Sequence, residues 1–253
     1  MAKEIKTNEL ADKQEMLQRL KDAPTLYVLI SLCTKEPYVV CDQETFDDEV
    51  LMFFRMEDAE AEMKRLIEQK VPVSIVKLEG KQMLFFYTSL YTMGVNALLI
   101  KEGESQSRVQ LADFVRRGNP GQNQDGKTWI ENPSLHLTAL YYMQESRRQP
   151  VQGENPQLKE LQEEIAVNFG KGSYIVAVQK EGNGIPVVKL NNEDVYQALF
   201  TDVLEFQKFN REDKLRPVVV EAAKVPQVLV AEAKGVVLNP MGVNMPLTLR
   251  RNA

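Results

Sequence analysis

The chain is 253 residues long, 43% hydrophobic and 26% charged, with a formal net charge of −5. That length and balance suit one large or two modest globular domains with a real core. The negative charge argues against a nucleic-acid partner, because phosphate binding needs a basic face, and no apolar run reaches the roughly 18 residues that would cross a bilayer.

The chain begins MAKEIKTNELADKQEM, charged from the start and without the apolar core of a signal peptide, so a cytoplasmic location is expected. The arginine pairs Arg116 and Arg117, Arg147 and Arg148, and Arg250 and Arg251 read as solvated helix or chain ends. Cys33 and Cys41 lack the C-x-x-C spacing of a redox pair and read as reduced core or edge residues.

A first helix is expected after a cap at Thr7 or Asn8, with Leu10, Met16, Leu17 and Leu20 along one side and Pro24 at its end. Residues 25–33 (TLYVLISLC) form a strand, and residues 38–41 (YVVC) return as its hairpin partner. Residues 50–56 (VLMFFRM) are a third strand. A helix over 57–69 places Ala59, Met63, Leu66 and Ile67 on one face. A strand at 71–78 starts near Pro72, a helix at 82–92 stops at Gly94, residues 95–100 are again a strand, and residues 108–115 add a further piece.

Residues 118–127 (GNPGQNQDGK) have almost nothing to bury and read as a linker. The amphipathic stretch ENPSLHLTALYYMQESRRQ is a helix with Pro133 at its first position after an Asn132 cap. A loop at 150–155 follows. The next helix, NPQLKELQEEIAVNF, repeats that cap with Asn155 and Pro156 and is stopped by Gly170 and Gly172.

From there the plan replays. Residues 174–179 answer 26–31, residues 185–190 answer 38–41 across a turn at 182–184, residues 198–201 (ALFT) answer 51–54, and a helix near 203–210 answers 57–69. Residues 216–249 then read as a buried strand, a short helix, a second buried strand, a turn and a returning strand, as residues 71–103 do more loosely. The spacing from Phe54 to Pro72 matches that from Phe200 to Pro217 to within one residue. The prediction is an α+β protein of two related modules, each a small mixed β-sheet with short covering helices, joined by a helical linker. The modules span residues 1–117 and 155–253, with the linker and its one helix at 118–154.

No chemistry stands out. His136 is the single histidine and reads as a surface or packing residue of its helix; no G-x-S-x-G elbow accompanies it. Metal-ligand spacing of the zinc-finger kind is missing. The glycines form no phosphate loop, and GKGS at 170–173 follows a helix rather than preceding one, so it reads as a C-cap. The carboxylate groups at 42–49, 57–62 and 160–164 look solvated. The sequence therefore predicts no catalytic residue, no metal ligand and no cofactor.

The run Asn239, Pro240, Met241, Gly242 is a tight turn, with Asn239 held extended by the proline. It is either a plain hairpin turn or a rigid loop presented to a partner. In the second case Asn239, Pro240 and Gly242 are the candidate interaction loop.

The C-terminal run, with ALFTD at 198–202, the apolar strand after Pro217, then GVVLNPMG at 235–242 and PLTL, resembles the N-terminal domain of the enhanced serine sensitivity (SseB) family. The resemblance implies a phenylalanine–threonine step before a helix and a glycine–aliphatic–asparagine–proline–x–glycine turn. It covers residues 174–249 and fades in the first module, where FFRM and VNALLIKEG stand instead. It brings no enzymatic mechanism. The expected function is a non-catalytic, cytoplasmic protein-interaction or regulatory module, connected with serine or amino-acid sensitivity and binding another protein, with no nucleic acid or membrane. The alternative is a sensor that binds an amino acid or similar metabolite in a cleft between the two modules.

Overall fold

A computed structural model describes residues 13–115, 129–148, 155–190 and 193–251; the expected cap at Thr7 or Asn8, the linker at 118–127 and most of the loop at 150–155 lie outside them. Contacts divide these residues into two units. The first takes residues 13–32, 37–91 and 95–115; the second takes Cys33–Glu36, Thr92–Gly94 and the described residues from 129 onward.

The first unit opens with α1 (residues 13–22), which buries Met16 and Leu20. There follow β1 (Thr25–Ser31), β2 (Val39–Cys41), β3 (Asp48–Phe53), α2 (Met56–Glu68), β4 (Val73–Glu79), α3 (Lys81–Thr92), β5 (Ala97–Glu102), β6 (Ser105–Gln110) and the single turn α4 (Leu111–Phe114). The sheet runs β4-β1-β3-β5-β6, with β2 also paired to β3. Among the described strands of this sheet the β3–β5 pair alone is parallel, and α2, β4 and α3 supply the long crossover that a parallel step requires. The face under α2 is built from Leu29, Leu51, Phe53, Ala59, Leu66, Val71 and Val73.

The second unit contains α5 (Pro133–Arg148), α6 (Pro156–Lys171), β7 (Ser173–Gln179), β8 (Val187–Lys189), β9 (Val195–Phe200), α7 (Val203–Phe209), β10 (Leu215–Glu221), a 3-10 turn (Ala222–Gln227), β11 (Gly235–Leu238) and β12 (Met245–Thr248). Its sheet runs β10-β7-β9-β11-β12, with β8 paired to β9 and β9–β11 the parallel pair. Strand for strand this is the order of the first unit. The fold is α+β, two related modules of one topology. Helix α5, placed by sequence between the modules, packs along α6 and groups with the second unit. Under α7 the core is Ile130, Ile175, Ala177, Ala198, Phe200 and Phe206. The Phe200 ring meets Phe206 edge-on at 5.6 Å and Phe209 at 5.3 Å, contacts worth about 0.5–1.5 kcal/mol each beyond their burial.

Several local expectations change. Residues 39–41 pair with β3, not β1, because β4 occupies the other edge of β1 over seven residue pairs; only a bridge from Ile30 to Pro37 remains of the hairpin. β10, expected to be buried, is largely exposed, with Val219 at 47%. It is an edge strand, a position that tolerates Pro217. On α2, Ile67 faces solvent while Glu62 is buried, held by Arg65 at 2.6 Å and Lys101 at 2.9 Å.

Candidate functional site

The polar residues of the second unit converge where its two parallel strands end. β9 and β11 run side by side, so their C-terminal ends share one edge, the place where α/β sheets commonly open a crevice. β9 ends at Phe200 and is followed by Thr201 and Asp202; β11 ends at Leu238 and is followed by Asn239. All three polar residues are fully buried.

Asp202 caps α7, its Oδ1 accepting from the backbone N–H groups of Leu204 (2.9 Å) and Glu205 (3.0 Å). With Glu205 three residues on, the pattern is that of a capping box. The other oxygen of Asp202 accepts from the Thr201 hydroxyl at 2.8 Å. Asn239 closes the group: its side-chain oxygen accepts from the Thr201 N–H at 3.0 Å and its side-chain nitrogen donates to Thr201 Oγ1 at 2.8 Å.

Asn239 is not extended. Its φ is +46°, a left-handed conformation that asparagine tolerates better than other non-glycine residues. Its carbonyl accepts from the N–H groups of Gly242 (2.9 Å) and Asn244 (3.0 Å), which closes the turn. Of the candidate interaction loop, Asn239 and Gly242 are buried and Pro240 half-buried; in residues 239–244 only Met241 is exposed.

His136 enters from α5. Asn132, just before this helix, donates from its side-chain nitrogen to the carbonyls of Ser173 (2.7 Å) and Thr201 (2.8 Å), which fixes the start of α5 against β7 and the end of β9. His136 is then wholly buried rather than on a helix surface. Its Nδ1 lies 3.3 Å from Thr201 Oγ1 and 3.6 Å from Asp202 Oδ2, while its Nε2 has no hydrogen-bond partner among the described residues.

Beyond His136 lie Glu36, 5% exposed, and Glu205, 2% exposed. Lys208, one turn along α7 from Glu205, donates to Oε1 of Glu36 (2.9 Å) and of Glu205 (2.5 Å). Oε2 of Glu205 is buried without a hydrogen-bond partner among the described residues. Gly242 makes room for these carboxylates: an added Cβ would collide with Glu36 Oε1 and stand 3.0 Å from Glu205 Oε2. The arginine pair at 147 and 148 is not merely solvated. Arg147 donates to the carbonyls of Cys33 (2.6 Å), Val243 (3.2 Å) and Asn244 (2.7 Å), so it ties the Glu36 segment to the turn.

Burial and charge work against each other here. Desolvation lowers the pKa of His136, but the close contact with Asp202 and the fields of Glu205, Asp202 and Glu36 outweigh it, and the net shift is upward. Desolvation raises that of Glu36 more than Lys208 lowers it. For Asp202 desolvation is overcome by His136 and the backbone N–H of Glu205, and the pKa falls. Lys208 is also desolvated, yet the two glutamates hold its pKa above the ordinary lysine value. Thr201, His136 and Asp202 are the residue types of an acyl-transfer triad, but the hydroxyl is turned to Asp202 and all three are sealed from substrate. What the cluster can do is hold protons and cations.

Sequence reading singled out Asn239, Gly242 and His136 but missed Glu36, Asp202, Glu205, Lys208 and Arg147. The D-x-x-E capping pattern at Asp202 and Glu205 was the one local signal available. Lys208 leads outward. It lines a surface cavity of about 710 Å³ with Phe209, Arg211, Asp213, Leu215 and Met241 among its other walls.

No protein-family model matches the chain, and no curated protein matches it. Among solved structures, Tic22 of Anabaena, described with protein transport, aligns over 84% of both chains at 10% identity with a TM-score of 0.22. Tic22 from Plasmodium falciparum aligns over 83% of this chain and 84% of its own at 14% identity with a TM-score of 0.23. Superpositions of that quality carry no argument about this chain.

Proposed function

We propose that this chain is a non-catalytic interaction module of the enhanced serine sensitivity kind, cytoplasmic and tied to amino-acid metabolism, whose second unit binds another protein through the 239–244 turn. One observation carries the reading. The turn is locked from beneath by Asn239 and Arg147, and it leaves Met241, 45% exposed, beside a cavity of about 710 Å³. A rigid turn with one exposed, adaptable apolar side chain binds without first having to be ordered. The test is affinity capture from cells with wild-type and Met241→Asp baits of equal melting temperature. A protein retained stoichiometrically by the wild type and lost with the aspartate supports the reading. Identical captures overturn it.

A second reading, an amino-acid-like ligand in the same cavity, is favoured by the mixed charges of its walls, where Lys180, Arg211 and Lys214 stand among Glu181, Glu212 and Asp213. Thermal melting against a panel of amino acids separates the two, since a ligand of the native state raises the midpoint in proportion to its occupancy.

A further inference from the structure

We propose that Glu36, His136 and Glu205 form a site for one divalent first-row transition-metal ion. The proposal stands independently of the interaction reading. One donor atom from each of the three residues lies within 4.8 Å of the others. Zinc–nitrogen and zinc–oxygen bonds of about 2.0–2.2 Å set neighbouring donors roughly 3–3.5 Å apart, so side-chain adjustments alone close the site.

Two of the donors point to a missing partner. His136 Nε2 and Glu205 Oε2 are both buried and both without a hydrogen bond among the described residues, and a buried polar atom left unpaired is destabilising. Both atoms belong to residues whose side chains approach one another in the same buried cluster. The surroundings are those of a built metal site. Asp202 and the Thr201 hydroxyl stand against His136 Nδ1; they hold the proton on that nitrogen and leave Nε2 as the ligand, the usual way an imidazole is aimed at a metal. Asp202 is itself fixed by two backbone N–H groups.

Lys208 engages Oε1 of both glutamates and leaves Glu205 Oε2 free. Three carboxylates (Glu36, Asp202 and Glu205) face a single ammonium, and a divalent ion would stabilise their ionised forms and the neutral imidazole. One imidazole and two carboxylates favour zinc, manganese or ferrous iron over calcium, which takes oxygen donors, or cuprous copper, which prefers sulfur. Lys208, 23% exposed along its side chain, lines the surface cavity and marks the route in.

The test uses the full chain, stripped with chelator and titrated with Zn²⁺ by calorimetry, with metal content measured after dialysis. The expected result is one ion per chain with a Kd below about 1 μM. X-ray absorption of the zinc-loaded wild type is expected to show a nitrogen–oxygen shell at about 2.0–2.2 Å with imidazole scattering and no sulfur. His136→Asn and Glu205→Gln are expected to weaken binding at least about 100-fold, and Cys41→Ser to leave it unchanged. Several weak ions per chain, sulfur in the first shell, or unchanged affinity in folded His136→Asn and Glu205→Gln proteins overturns the proposal. Because the absorption spectrum needs only wild-type protein, it decides the matter even where a variant does not fold.

Discussion

Replacing Asn239 by alanine removes two buried hydrogen bonds at once, those to the Thr201 N–H and to Thr201 Oγ1. The Thr201 N–H is then buried without an acceptor, at a cost of about 1–3 kcal/mol. Alanine must also adopt the φ of +46° that Asn239 holds, which adds about 1 kcal/mol. The expected loss for Asn239→Ala is therefore about 2–4 kcal/mol. Asn239→Gly loses the same bonds but not the backbone penalty, so it should be the milder change by about 1 kcal/mol, reversing the usual preference for alanine over glycine. Asn239→Asp keeps the acceptor for Thr201 N–H and should hold its protection. The assay is urea unfolding followed by circular dichroism, with amide exchange at Thr201 reporting on the site itself. An Asn239→Ala protein within 0.5 kcal/mol of wild type, a value well under the roughly 1 kcal/mol floor of an orphaned donor, would refute the reasoning. So would a glycine variant less stable than the alanine one.

Gly242→Ala should cost about 1–3 kcal/mol in the same unfolding assay, because its Cβ drives into Glu36 Oε1 and Glu205 Oε2. It should also weaken zinc binding in calorimetry. Arg147→Ala should cost about 1–2 kcal/mol and speed amide exchange at Asn244: the residue as a whole is exposed, but its guanidinium lies against three carbonyls. Acid sensitivity is expected in the first unit, where the backbone N–H groups of Thr45 and Glu44 pull the pKa of Asp42 from 3.8 to about 2. A depressed carboxylate contributes stability above its unfolded value, so this part should fade as pH falls from 3.8 through about 2. A carboxyl NMR titration of Asp42 with a midpoint near 3.8 would contradict it.

Most of the element pattern could be read from the sequence because it rests on local rules. The period of α2, the Asn155 cap of α6, whose side chain accepts from Gln157 and Leu158 N–H groups, and the alternation from extended runs to helices in both modules follow from propensity and capping. Pairing is a different matter. Whether residues 39–41 lie on β1 or β3 depends on which edge of β1 is free, and that is settled by β4, more than thirty residues later. The exposure of β10 follows in the same way from its place at the sheet edge, which no stretch of valines announces. The site was harder still. His136 looked like a packing residue because its partners sit on a loop at Glu36 and a helix at Glu205, with no fixed spacing between them. The turn at Asn239 was recognised for its shape, yet its use lies in the side chain that points inward to Thr201.

The two units show why this edge in the second one is under constraint. The strand registers place Phe53 with Phe200 and Ile100 with Leu238, so Phe54 and Arg55 stand where the second unit has Thr201 and Asp202, and Lys101 stands at the place of Asn239. In the first unit these positions make two separate ion pairs, one exposed on the arginine side and one reaching a buried glutamate. Arg55, 63% exposed, holds Asp58 at 2.8 Å, and Lys101 holds Glu62 at 2.9 Å. The Arg55–Asp58 pair, its guanidinium in solvent, is screened and can be exchanged at little cost. In the second unit the same edge is sealed, and a buried cluster tolerates no such exchange, because removing one partner strands the charge of another. The same β-sheet end therefore carries separate pairs, one of them replaceable, in one module and a closed, mutually dependent set in the other. The two open donor atoms, His136 Nε2 and Glu205 Oε2, lie inside that closed set. These are the two atoms through which the proposed cation would bind.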